Sequence, residues 1–229
     1  KLVAEGVWFP KADKNEDKML KGEISPGNAQ NITDALNLND FKACEKIIDQ
    51  HIADAHKKQC HSLLLSNELL MIALAHKEKL CKFTELLYKK ASNKAEYILF
   101  LRNPVDQALS LFKHRAKSGN IDDIEEWIQN NYKYGTAIYE FLSFVKEQSY
   151  NITVKKYSQI NGDIENKFFK QCLGIETSFK RPQKSVNPTL SLSELNLLNL
   201  LGKHQPHLVS VLYDRLIKID KENKPGSDL

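Results

Sequence analysis

Arg102 and Ser110 are the pair of residues in this chain best spaced to hold an anion. Arg102 follows the apolar run Tyr97-Ile98-Leu99-Phe100-Leu101, which reads as a buried strand of a parallel sheet. Asn103-Pro104 then breaks the strand, and proline suits the first turn of a helix. Val105, Leu109 and Phe112 give that helix an apolar face. Ser110 comes eight residues after Arg102, about two turns along at roughly 3.6 residues per turn. A strand-end guanidinium and a helix-borne hydroxyl can thus converge on one anion, at the strand ends where open α/β sheets bind ligands. The same residues also fit an ordinary strand-to-helix turn with an arginine at a solvent edge. A second polar group, Ser66-Asn67-Glu68, follows the apolar run Leu63–Leu65 and falls on the same edge of a parallel sheet. Ser66 or Asn67 also suits a helix cap, with Glu68 at the helix N-terminus. Lys113-His114-Arg115-Ala116-Lys117 forms a basic stretch on the Ser110 helix, read first as a solvated face. His114 is a further candidate base, because an unperturbed imidazole titrates near neutrality.

The elements that must position these groups alternate. Asn39–Lys58 is helical, with Phe41, Cys44, Ile47, Ile48 and Ile52 at three- and four-residue steps. His61–Ser66 reads as a buried strand, Glu68–Ala75 and Lys77–Lys90 as helices, and Glu96–Leu101 as the next strand. The proline-led helix should run from Pro104 to about Ser118, with Gly119-Asn120 as its stop. Helices over Asp122–Ile128 and Lys133–Glu147 and a strand over Asn151–Tyr157 follow. Gly162–Leu173 is helical, with Gly174 as its cap. Ser191–Leu201 and Pro206–Lys218 close the chain as helices. Ser191-Leu192-Ser193-Glu194 has the pattern of a capping box. Lys1–Pro10 reads as a helix end, a Gly6 stop and a short extended piece. Lys11–Ile32 is polar and reads as a loop. From His61 onward the βαβ order predicts a single α/β domain over 1–229, helix-rich, with a parallel sheet flanked by helices.

The chain has 229 residues, 41% hydrophobic and 27% charged, which is a globular profile. A net charge of +4 is too mild to imply nucleic acid and suits an anionic ligand. No apolar run reaches the roughly twenty residues of a membrane span. Cys44, Cys60, Cys81 and Cys172 are widely spaced, with no Cys-x-x-Cys pair, so no metal site is expected. Buried free thiols and no signal peptide predict a cytoplasmic protein.

The Arg102-Asn103-Pro104…Ser110 pattern resembles the 3′-phosphate-binding motif of sulfotransferases that use 3′-phosphoadenosine-5′-phosphosulfate (PAPS). The resemblance implies a P-loop-like sulfotransferase fold. It also implies transfer of a sulfuryl group from PAPS, leaving PAP, to a hydroxyl or amine acceptor, for which a carbohydrate is expected. Arg102 and Ser110 would hold the 3′-phosphate. Ser66-Asn67-Glu68 resembles the Ser-Ser-Glu motif of bacterial and carbohydrate sulfotransferases, with Asn67 in the middle position. That places on Glu68 the base that takes the acceptor's proton. Arg181, Lys184 and Asn187, in the segment ending Asn187-Pro188-Thr189, resemble a late cofactor-contacting loop and are expected to touch the nucleotide. Leu2–Pro10 resembles the segment after the family's phosphosulfate loop, and Gly27-Asn28 a further loop, with Ala29 and Gln30 where several relatives place histidine. The family's first strand and its Lys-Thr/Ser loop would precede Lys1, and no Gly-x-x-x-x-Gly-Lys-Ser/Thr occurs in these residues. Truncation before Lys1 is the expectation. A non-catalytic binding protein on the same fold is the alternative, and a P-loop kinase relative ranks below both.

Overall fold

The structure, a computed structural model, describes residues 2–11, 27–92, 95–116, 123–157, 167–176 and 190–223. In chain order the strands are β1 (Val7–Trp8), β2 (Ser62–Leu63), β3 (Tyr97–Leu101) and β4 (Ile152–Lys156). The α-helices are α1 (Gln30–Asn37), α2 (Phe41–Lys57), α3 (Leu70–Ala73), α4 (Lys77–Lys90), α5 (Pro104–Ala116), α6 (Ile124–Asn131), α7 (Tyr134–Glu147), α8 (Leu192–His204) and α9 (Val209–Asn223). Short 3-10 turns span Leu2–Glu5 and Pro206–Leu208, and a π-helical turn spans Lys167–Cys172. The chain is therefore helix-rich α/β with parallel strands. It divides into two compact units, Lys1–Leu101 with Tyr134–Arg181, and Arg102–Lys133 with Pro182–Leu229.

In the first unit, amphipathic helices close over one apolar core. Ile32 and Leu36 of α1 meet Cys44 and Ile48 of α2, Leu80 and Phe83 of α4, and Phe141 and Val145 of α7. Burying each large side chain contributes about 1.5–3 kcal/mol. Lys90 of α4 pairs with Glu45 and Asp49 of α2 at 3.0 and 2.7 Å, tying the two helices at the surface. Lys77 of α4 pairs in the same way with Glu147 of α7. β3 lies parallel to β4 in an unbroken five-residue register, Tyr97 opposite Ile152 through Leu101 opposite Lys156. Tyr97 anchors β3 on the core. Its ring meets Phe141 edge-on at 5.6 Å, and its hydroxyl lies 2.7 Å from the Thr84 hydroxyl, which donates to the Leu80 carbonyl.

Three expectations need correction. The polar stretch read as a loop to Ile32 is a helix from Gln30, and Ile32, Thr33, Ala35 and Leu36 are all buried there. Their spacing is helical, but the surrounding polar residues mask it. The strand expected over His61–Ser66 pairs only at Ser62 and Leu63, because β1 offers just Val7 and Trp8. The parallel sheet expected from the βαβ order is, among the described residues, two separate parallel pairs, β1 with β2 and β3 with β4.

Gly174, in a left-handed conformation, ends the π-helical turn as expected, with the Ile175 N–H donating to the Phe169 carbonyl at 2.8 Å. The cysteines are free thiols, with Cys44 and Cys60 buried and Cys81 and Cys172 half-buried.

In the second unit α5 packs on α6 through an aromatic cluster. Phe112 lies 5.7 Å from Trp127, and Trp127 lies 5.6 Å from Tyr132. α8 and α9 pack on each other through Leu195, Leu198, Val209 and Tyr213. Ser191 caps α8 in a full capping box, its Oγ accepting from the Glu194 N–H and its own N–H donating to the Glu194 carboxylate at 2.6 Å. Asp123 caps α6, accepting from the Glu125 N–H at 2.9 Å.

Candidate functional site

The expected anion clasp begins where β3 ends. The last β3 carbonyl, Leu101, accepts from the Tyr157 N–H at 2.7 Å, which holds the strand in its ladder to its final residue. Arg102 follows, half-buried, with its Nε sealed from solvent. Asn103 turns the chain into α5. Its Oδ1 accepts from the Val105 and Asp106 amides at 2.9 and 3.4 Å, so the first-turn donors of α5 are already used. The Tyr132 hydroxyl donates to the Pro104 carbonyl at 3.2 Å and steadies the same turn.

Ser110 is half-buried on α5. The buried stripe of α5 is Ala108 and Phe112, which pack on Trp127. The expected apolar face placed Val105 inward, yet Val105 is 66% exposed. The position of Trp127, not apolarity alone, selects which face is buried. Ser110 stands about 200° around the helix from Ala108, on the face away from Trp127. It lies roughly 9 Å along the axis from Pro104 at about 1.5 Å per residue. Both residues belong to the second unit. Lys113 and Arg115 are half-buried rather than fully solvated. His114 falls on α5, and its side chain lies outside the described residues, as do Lys117, Gly119-Asn120, Arg181, Lys184 and Asn187.

Glu68 belongs to the first unit and is exposed. The residues before it are tightly held. Asn28, only 6% exposed, donates from Nδ2 to the Leu64 carbonyl at 2.9 Å and accepts at Oδ1 from the Ser66 N–H at 2.6 Å. The Ala29 N–H donates to the Ser66 carbonyl at 3.0 Å. Asn67 Oδ1 accepts from the Leu69 N–H at 2.7 Å, and its Nδ2 donates to Gln30 Oε1 at 2.9 Å. Asn67 therefore closes a local turn ahead of α3, while the N-cap position of α3 is Leu69 and no side chain caps it, so the helix-cap reading of Ser66 or Asn67 does not hold. Helix α3 is a single turn rather than the helix expected over Glu68–Ala75. No hydrogen bond or ion pair engages the Glu68 carboxylate among the described residues, and the residue is exposed.

Asn28 is the residue here whose structural role the sequence concealed. The only signal was the Gly27-Asn28 pair itself, since its partners lie 36 and 38 positions away. A surface depression along α2, bordered by Lys42, Glu45 and Asp49, contains none of the residues expected to do chemistry. Among the described residues no group of three or more His, Cys, Asp and Glu is gathered to hold a metal ion. No helix among them is long and apolar enough to cross a membrane. Comparison with protein-family models, curated proteins and solved structures returned no match for this chain.

Proposed function

We propose that this chain is a PAPS-dependent sulfotransferase of P-loop-like fold, cytoplasmic, acting on a hydroxyl or amine of a carbohydrate. The observation that carries the reading is the run from β3 through Arg102 and Asn103-Pro104 into α5. A half-buried arginine stands at the end of a parallel strand, and a half-buried serine lies two turns along the following helix, in the same unit. These residues fit an adenosine 3′-phosphate. A guanidinium offers paired donors to two phosphate oxygens, and a serine hydroxyl donates a third. Bound PAPS would supply the sulfuryl group, which passes to the acceptor as its bond to the 5′-phosphate breaks.

Arg102 and Ser110 bind and orient the nucleotide through its 3′-phosphate. Glu68 takes the proton from the acceptor hydroxyl or amine at a carboxylate oxygen. His114 is the reserve for that role, and Arg181, Lys184 and Asn187 contact the nucleotide.

Calorimetry with PAP tests the reading. Arg102→Ala should weaken PAP binding by roughly 10- to 100-fold, since a hydrogen bond to a charged group is worth about 1.5–3 kcal/mol. Unchanged affinity would remove Arg102 from the site. PAP binding without transfer from radiolabelled PAPS to glycan acceptors would favour the non-catalytic binding protein instead.

A further inference from the structure

We infer that Asn28 is a positioning residue whose carboxamide takes over from β1 as the hydrogen-bonding neighbour of β2, and so sets the path of Ser66–Glu68. The parallel register puts Val7 opposite Ser62 and Trp8 opposite Leu63. Along that side the Ser62 N–H donates to the Gly6 carbonyl at 3.1 Å and the Leu64 N–H to the Trp8 carbonyl at 2.9 Å. Continued in the same register, the next bond would run from the N–H of residue 10 to the Leu64 carbonyl. Residue 10 is proline and has no N–H to give. Asn28 Nδ2 supplies that donor at 2.9 Å. The Ser66 N–H would next seek the carbonyl of residue 10, and Asn28 Oδ1 accepts it instead at 2.6 Å. The Ser66 carbonyl then accepts from the Ala29 N–H at 3.0 Å. One buried side chain and one backbone amide thus stand in for the strand that Pro10 ends.

Gly27 allows the loop to come this close, since an added Cβ would lie 2.1 Å from the Ser66 carbonyl oxygen. The last residues before Glu68 are therefore held by groups 36 to 38 positions away, while Glu68 itself is exposed. The functional half of this inference rests on the reading of Glu68 as the base.

The test combines amide exchange with kinetics. In Asn28→Ala the Ser66 amide should exchange at least 10-fold faster by NMR, while the amides of α2 and α4 keep their rates. Asn28→Asp, isosteric but without donors, keeps an acceptor for Ser66 and should accelerate that amide less. With PAPS and acceptor, Asn28→Ala should lower kcat at least 10-fold with PAP affinity unchanged. Adding it to Glu68→Gln should cost less than a further 2-fold, because both changes remove one function. Unchanged Ser66 exchange in both variants, or equal acceleration throughout the first unit, overturns the inference. Localised exchange together with equal kcat in wild type and Glu68→Gln overturns the base reading alone and leaves Asn28 as the determinant of the strand-end path.

Discussion

Replacing Gly27 with alanine should cost the first unit roughly 3–5 kcal/mol. Gly27 has φ of +106°, which side-chain-bearing residues adopt only under strain. An added Cβ would meet the Ser66 carbonyl oxygen at 2.1 Å, its carbon at 2.7 Å and Asn67 Cα at 3.0 Å. Ordinary carbon–oxygen contacts begin near about 3.3 Å, so the two backbones must part by roughly 1 Å. That movement disrupts the two Asn28 side-chain bonds and the Ala29-to-Ser66 bond, each worth about 0.5–1.5 kcal/mol. The left-handed conformation adds about 1–2 kcal/mol for alanine. The assay is urea unfolding followed by 5-fluorotryptophan NMR, since Trp8 reports the first unit and Trp127 the second. The Trp8 midpoint should fall with its slope unchanged, and the thermal midpoint should drop by roughly 6–20 °C. Gly135→Ala is the control. Nothing lies within 4 Å of its added Cβ, and α7 should gain about 0.5–1 kcal/mol there. A loss below about 1 kcal/mol for Gly27→Ala would refute the close approach of its loop to Ser66.

Two further outcomes follow from local chemistry. Burial, reinforced by the Asp40 carboxylate, raises the Cys44 thiol from 9.0 to about 11. The folded protein keeps that proton after the unfolded chain has lost it, so the stabilisation is complete below pH 9.0 and is lost as the pH climbs to about 11. Urea titrations over that window should show a steeper loss of stability for wild type than for Cys44→Ala. Burial also pushes the Tyr97 and Tyr150 hydroxyls up, Tyr150 to about 12, which adds loss of the same sign at higher pH in both proteins. Ser191→Ala removes the acceptor of the α8 capping box and should destabilise the second unit by about 1 kcal/mol, read at the Trp127 fluorine resonance with Trp8 unmoved.

Much of the run from β3 into α5 was legible because it is local. Tyr97–Leu101, Asn103-Pro104 and the helix after them form from propensity, an asparagine cap and a proline at the first turn, all within a few residues. The same holds for the capping box at Ser191 and the stop at Gly174. The face that α5 buries was legible at Phe112 but not at its first turns. Val105 and Ala108 both suit an apolar stripe, and the packing of Trp127 decides for Ala108. Helix α1 was hidden because its four buried residues sit inside a polar stretch whose core partners come from α2, α4 and α7.

Apart from α1, the sequence by itself determined the order of the described helices and strands, the cap at Ser191, the stop at Gly174 and the spacing that sets Ser110 two turns beyond Arg102, since those depend on neighbours along the chain. Only the tertiary structure decided which faces are buried, that the described strands pair two by two, and that Asn28 replaces the hydrogen bond Pro10 cannot make. A proline announces the missing donor in any sequence. The group that compensates for it is chosen by proximity in space, and the folded chain brings it from 18 residues beyond Pro10 to a carbonyl 36 residues further on.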